Sequence, residues 1–172
     1  MTIETNFLNC AAEKLAELCS RIEACLGRLT PEQTWMRGSE NQNAVGNLVL
    51  HLNGNVRQWI LSGVGGRANT RDRDEEFAAR GGMEPAALAT MLRGTVDEAL
   101  AIIHSVPPAR LGEEVTIQGY GGTVLKAIFH VVEHFSGHTA QIIFITKMLT
   151  GEDLGFYAHL SRKTHSNAGK TA

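Results

Sequence analysis

His130-Val-Val-Glu-His-Phe-Ser-Gly-His138, inside the apolar run from Thr123 to Leu149, decides the fold of this chain. Its three histidines recur every fourth residue, the repeat of one helix face. With His134 at the origin, His138 falls at about +40° and His130 at about −40°. Ala127, Val131, Ile142 and Phe135 fill the arc from about +20° to +100°, while Lys126 and Glu133 lie near −80° and −100°. His134 and His138 therefore project from the edge of an apolar face, and His130 sits towards the solvent flank. Imidazole is a poor core group, because its buried ring nitrogens need partners. Two imidazoles one turn apart can share one cation. Each could equally be a boundary histidine bonded to a neighbour, so a third ligand from elsewhere is what separates the readings.

A chain of 172 residues is long enough for one domain with a substantial core, and 43% hydrophobic with 20% charged residues is ordinary for a soluble globular protein. A net charge of −2 and the lack of any basic run argue against a nucleic-acid-binding surface. No basic-then-apolar leader opens the sequence and no stretch reaches the length of a membrane span, so a cytoplasmic location is the default. Cys10, Cys19 and Cys25 all fall in the first predicted helix. An odd count on one helix reads as reduced thiols rather than a disulfide framework.

Upstream, residues 3–28 show apolar positions at spacings of three and four, ended by Gly27 and Thr30-Pro31. Pro31–Trp35 reads as a short helical turn. A second long helix is predicted over 43–62, capped by Asn41 or Asn43 and stopped by Gly63, Gly65 and Gly66. On its wheel His51 borders the face formed by Leu48, Leu52 and Trp59, with Asn47, Asn55 and Gln58 within about 40° of it. His51 is thus a candidate third ligand ringed by amides, or a boundary histidine bonded to one of them.

Arg67 to Gly82 alternates in sign and reads as a solvated connection with local ion pairs, or, second, as a rim over a site. Phe77 would anchor it. A third helix begins at Glu84-Pro85 and ends before Pro107-Pro108. Glu113–Ile117 has strand character and Gly119–Gly122 reads as a turn; Thr123 is placed to cap the histidine helix. Four long amphipathic helices predict an all-α four-helix bundle over residues 1–155, with long connections that permit crossovers. Residues 156–172 read as a tail, loose from Ser161 onwards.

Asn43-Ala-Val-Gly-Asn-Leu-Val-Leu-His-Leu52 together with Glu133-His-Phe-Ser-Gly-His-Thr-Ala-Gln-Ile142 resembles the DinB-like metalloprotein superfamily, across nearly the whole chain. The resemblance implies an up-up-down-down four-helix bundle, often a homodimer. It also implies one divalent ion on a histidine of helix two and two histidines of helix four, here His51, His134 and His138. Two departures stand out: Gly137 replaces a frequent second histidine, and Ala140 replaces a glycine. Neither removes a ligand.

Three imidazoles suit Zn, Ni or Fe and leave coordination positions open. Gln141, near −20° on the histidine wheel, joins Asn47, Asn55 and Gln58 as a group that could orient a ligand. Members of the superfamily include enzymes using low-molecular-weight thiols, such as mycothiol-dependent maleylpyruvate isomerase and bacillithiol-dependent transferases. The resemblance therefore implies metal-dependent transfer of a small thiol (bacillithiol, mycothiol or glutathione) to a small electrophile. The alternatives are a non-catalytic, metal-stabilised dimeric stress-response or binding protein, and a metal-dependent hydrolase using a loop acid such as Asp74 or Glu76 as base. A ferritin-like di-iron site is disfavoured, because the sequence lacks Glu-x-x-His on two helices.

Overall fold

Thr2 and Thr123 begin the first and last long helices by the same device, a threonine hydroxyl accepting from the backbone N–H three residues on. The computed structural model describes residues 1–160. The loose end expected from Ser161 lies outside them. Helix α1 spans Ile3–Leu26 and buries Leu8, Ala11, Leu15, Leu18, Ile22 and Cys25 along one stripe. The short α2, Pro31–Trp35, opens with a capping box between Thr30 and Gln33. Helix α3, Val45–Val56, runs straight into a π-helical segment at Arg57–Val64. Next come α4 (Arg73–Ala78), α5 (Pro85–Ser105) and α6 (Val124–Thr150). Gly151, at φ 71°, closes α6 with the left-handed cap that glycine adopts without strain.

Among the described residues the fold is helical apart from one hairpin. Helix α1 packs against α5 and α6, and α3 packs against the same two. Leu15, Leu52, Leu92 and Phe135 lie in the resulting core with no exposure. Burying each such side chain contributes roughly 1.5–3 kcal/mol before conformational entropy is set against it. Leu154 and Phe156 fold back on this core, and the Tyr157 hydroxyl accepts from Arg21.

Three local features differ from the sequence reading. Neither Asn41 nor Asn43 caps α3. Ala44 is the cap residue, and Asn47 reaches back to accept from its N–H at 3.2 Å. Gly119–Gly122 is not all turn: Tyr120–Thr123 pairs antiparallel with Glu114–Ile117, with Ile117 opposite Tyr120. Gln118 (φ 56°) and Gly119 (φ 78°) form a two-residue loop, and positive φ at both positions suits the twist of a tight hairpin. The α3 helix also widens: Gly65 N–H reaches Ile60 C=O at 2.8 Å, a five-residue step. That π segment buries Trp59, Ile60, Leu61 and Val64.

Candidate metal centre

His51 arrives on α3, and His134 and His138 arrive one turn apart on α6. Their ring centroids form a near-regular triangle with sides of 4.9, 5.1 and 4.5 Å, all edge-on. One nitrogen from each ring lies within 4.8 Å of the others, so the three form a group that can hold a metal ion. The Nε2 atoms of His51 and His134 face each other at 2.9 Å. Burial pushes His134 down to about 3, reinforced by the neighbouring His138, His51 and His130 and by Arg71. Burial also lowers His138, partly offset by its bond to Gln141. Both are therefore neutral, lone-pair-bearing rings at neutral pH.

What stands behind His51 comes from the charged stretch. Asp72 Oδ1 accepts from the N–H groups of Asp74 and Glu75 and so starts α4. That short helix carries Glu76 inward until it is 8% exposed. The His51 Nδ1–H donates to Glu76 Oε2 at 3.0 Å. Arg71 clamps the same carboxylate through Nε to Oε1 at 2.7 Å and Nη2 to Oε2 at 2.8 Å. Arg71 Nη2 also lies 3.1 Å from His51 Nδ1. Both are donors here, since a guanidinium has no lone pair to offer and a carboxylate no proton, so they converge on one oxygen rather than bond to each other. Burial alone would raise the Glu76 carboxyl, but the hydrogen bonds from Arg71 and His51 and the Arg71 charge hold it below the usual carboxylate range. An ionised Glu76 fixes the His51 proton on Nδ1 and leaves Nε2 as a bare lone pair turned towards His134. Gly54, three residues after His51, makes this possible. A Cβ there would overlap the Glu76 carboxylate and lie 2.9 Å from Arg71 Nε.

The segment from 67 to 82 is thus no solvated connection at its centre. Arg71 and Glu76 are 4% and 9% exposed in their side chains. Phe77 sits with its ring 4.7 Å from His51, the anchoring expected of it. Asp74 is exposed. Signs alternating along a sequence do not distinguish a wet ion pair from a buried one; the usable signal was the helix start at Asp72 running into Glu76-Phe77.

The amides are placed in four different ways. Gln141 Oε1 lies 2.7 Å from His138 Nδ1, leaving Nε2 of that ring free to face the cluster. Asn47 donates to the Glu76 and Ala79 carbonyls and accepts from Arg37, tying α4 to α3 without hydrogen bonding to a histidine among the described residues. Gln58 accepts from Arg71 and Gln118. Asn55 is buried with its Oδ1 unpartnered. His130 stacks on His134 at 5.5 Å and lies 4.3 Å from Trp59, outside the three-ring group. Cys19 and Cys25 are buried in the core, and burial pushes the Cys19 thiol up to about 12. Neither is a reactive thiolate.

A cavity of about 780 Å³ opens beside the rings. His51, His130 and His134 line it together with residues of the hairpin, and Arg73 and Lys126 stand at it as cations. The donor set fits a resident ion: three imidazoles, one with its tautomer fixed from behind, beside space for a small molecule.

A family model described as "Protein of unknown function (DUF1572)" matches residues 2–161. No curated protein matches the chain. Among solved structures, a conserved protein from Enterococcus faecalis superposes with a TM-score of 0.74 at 14% identity, over 88% of this chain and 99% of that one. A DinB-like protein from Bacillus cereus superposes with a TM-score of 0.64 at 14% identity, over 80% of this chain and 88% of that one. At such identity the likeness establishes shared architecture. Among the described residues, no helix is long and apolar enough to cross a membrane.

Proposed function

The chain belongs to the DUF1572 family of DinB-like proteins, and on that premise we propose that His51, His134 and His138 hold one divalent ion, Zn, Ni or Fe, in an enzyme that transfers a small thiol to a small electrophile. The observation that carries this reading is the His51–Glu76–Arg71 relay: a carboxylate fixed by a guanidinium, fixing in turn the tautomer of an imidazole whose free nitrogen meets two others. A purely structural histidine does not need that support, whereas a metal ligand gains basicity and orientation from it. When bound, a divalent ion there supplies Lewis acidity that makes a coordinated thiol or water more acidic.

The chain's own residues do the rest. His51, His134 and His138 give nitrogen donors from one side, leaving the cavity side for ligands. Gln141 holds the His138 ring. The buried Cys19 and Cys25 supply no nucleophile, which suits a reaction whose sulfur comes from a free thiol. Hydrolysis is the weaker reading, because Glu76 is engaged by His51 and Arg71 and so is not placed as a free base.

The same reading takes the four long helices, with α1 and α3 each against α5 and α6, as an up-up-down-down bundle filling one domain to about residue 155. It takes the protein as a homodimer. Leu125 and Phe129 near one end of α6 and Phe144 and Met148 near the other are exposed apolar side chains that a second copy would cover.

Protein loaded separately with Zn, Ni or Fe, incubated with bacillithiol, mycothiol or glutathione and a panel of electrophiles, tests the activity. Metal-dependent loss of free thiol, abolished in the His51→Ala/His134→Ala/His138→Ala variant, is the expected result. Metal-loaded protein that consumes none of the three thiols would leave the non-catalytic, metal-stabilised reading, for which a large fall in melting temperature on chelation is the mark.

A further inference from the structure

We propose that the cavity beside the three histidines binds an organic carboxylate: a small molecule with an apolar body, an anionic end and a hydrogen-bond donor. This names a substrate class for the metal centre proposed above, and its catalytic relevance rests on that reading. The cavity's own chemistry does not.

Charge comes first. Arg71, Arg73 and Lys126 line the cavity, and no aspartate or glutamate does. The Arg71 charge is answered by Glu76. Arg73 and Lys126 have no ion-pair partner among the described residues. Both are steadied in place. The Arg73 guanidinium lies over the Phe77 ring at 4.9 Å, and that ring rests on His51. The Lys126 stem runs along the hairpin at Gly122, where a Cβ would meet its Cδ at 2.8 Å. Two unanswered cations, in a chain whose net charge is −2, concentrate positive potential in one concave place.

Buried polar atoms add a second, independent observation. Trp59 is 9% exposed and lines the cavity, yet its Nε1–H has no acceptor among the described residues. Asn55, 4% exposed and also lining it, has an Oδ1 with no donor. Buried polar groups are nearly always paired in folded proteins. Here two residues that line one cavity each carry an unanswered polar atom, a donor on Trp59 and an acceptor on Asn55, both covered from water. With a small turn of either side chain, a carboxylate oxygen accepts from the Trp59 indole, and a hydroxyl or amide N–H on the same ligand donates to Asn55. Val115, Ile117 and Ala127 supply apolar wall for the body. The other tryptophan makes the contrast: the Trp35 indole donates to the Met83 carbonyl at 3.0 Å.

Mandelate, an aromatic hydroxy acid, is the probe. Mandelamide is its neutral counterpart and inorganic phosphate the control for a bare anion. The protein has two tryptophans, so its amide spectrum carries two indole N–H signals, assigned with Trp59→Phe. Titration of metal-free protein with mandelate should shift the Trp59 signal and leave that of Trp35 in place. Lys126→Met and Arg73→Met, both exposed changes, should each weaken the response about tenfold. The titration uses metal-free protein, which separates this claim from the metal centre: mandelate binding by a parent protein that takes up no Zn, Ni or Fe would sink the earlier reading alone. No Trp59 shift at millimolar mandelate, an equal response to mandelamide or phosphate, or indifference to Lys126→Met would each overturn the carboxylate site.

Discussion

Replacing Glu76 by glutamine keeps the size of the side chain and removes its charge. Arg71 would then lie 4% exposed with no carboxylate to answer it, and His51 Nδ1–H would face an amide. Breaking a buried pair by removing one partner costs about 3–5 kcal/mol, because the other charge stays buried. In a domain of this length each kcal/mol moves Tm by roughly 2–4 °C, so Glu76→Gln should lower it by roughly 6–20 °C. Metal affinity should fall separately, by about 10–100-fold, through loss of the group that orients His51. Calorimetry of metal-free protein reads the first effect, and competition with a chelating dye reads the second. Arg71→Met/Glu76→Gln should recover much of the stability, since the uncompensated charge is gone, but not the affinity. If Glu76→Gln alone melts within a degree or two of the parent and binds Zn as tightly, the relay has no role in either.

Gly54→Ala should reproduce the affinity loss from the other side of the contact, because its Cβ overlaps the Glu76 carboxylate; wild-type Zn affinity in that variant would mean α4 shifts freely. Acid should release the metal and weaken the metal-free fold in one window. His134 titrates at about 3 when folded against an ordinary value of 6.5, so the stability it contributes is complete above pH 6.5 and declines as pH falls towards 3. Denaturation midpoints across that range check this; stability that rises on acidification to pH 4 would contradict it. Thr123→Ala should cost about 1 kcal/mol by removing the α6 cap seen at Lys126 N–H, measurable by urea unfolding with no change in metal stoichiometry.

The helices and the three histidines were legible because both are periodic. Residues three and four apart share a face whatever packs against it, so His134 and His138 were a pair before any partner was known. His51 was legible from its border position, and the wheel already set His130 aside. Glu76 and Arg71 were not. Burial of an ion pair is decided by what lies opposite, here the missing side chain of Gly54, and a glycine in a helix carries no label for the group it admits. The π segment escaped for a similar reason: a five-residue backbone step changes which side chains turn inward without changing the sequence pattern that announces the helix. Tyr120–Thr123 has little strand propensity of its own, and the Gln118-Gly119 turn places it against Glu114–Ile117.

Elemental analysis of untagged protein, beside the His51→Ala/His134→Ala/His138→Ala variant purified in the same way, tests the centre most directly. One equivalent of a divalent metal in the parent and none in the variant is the predicted result. Equal metal in both, or none in a folded parent after incubation with Zn, Ni and Fe in turn, would contradict it.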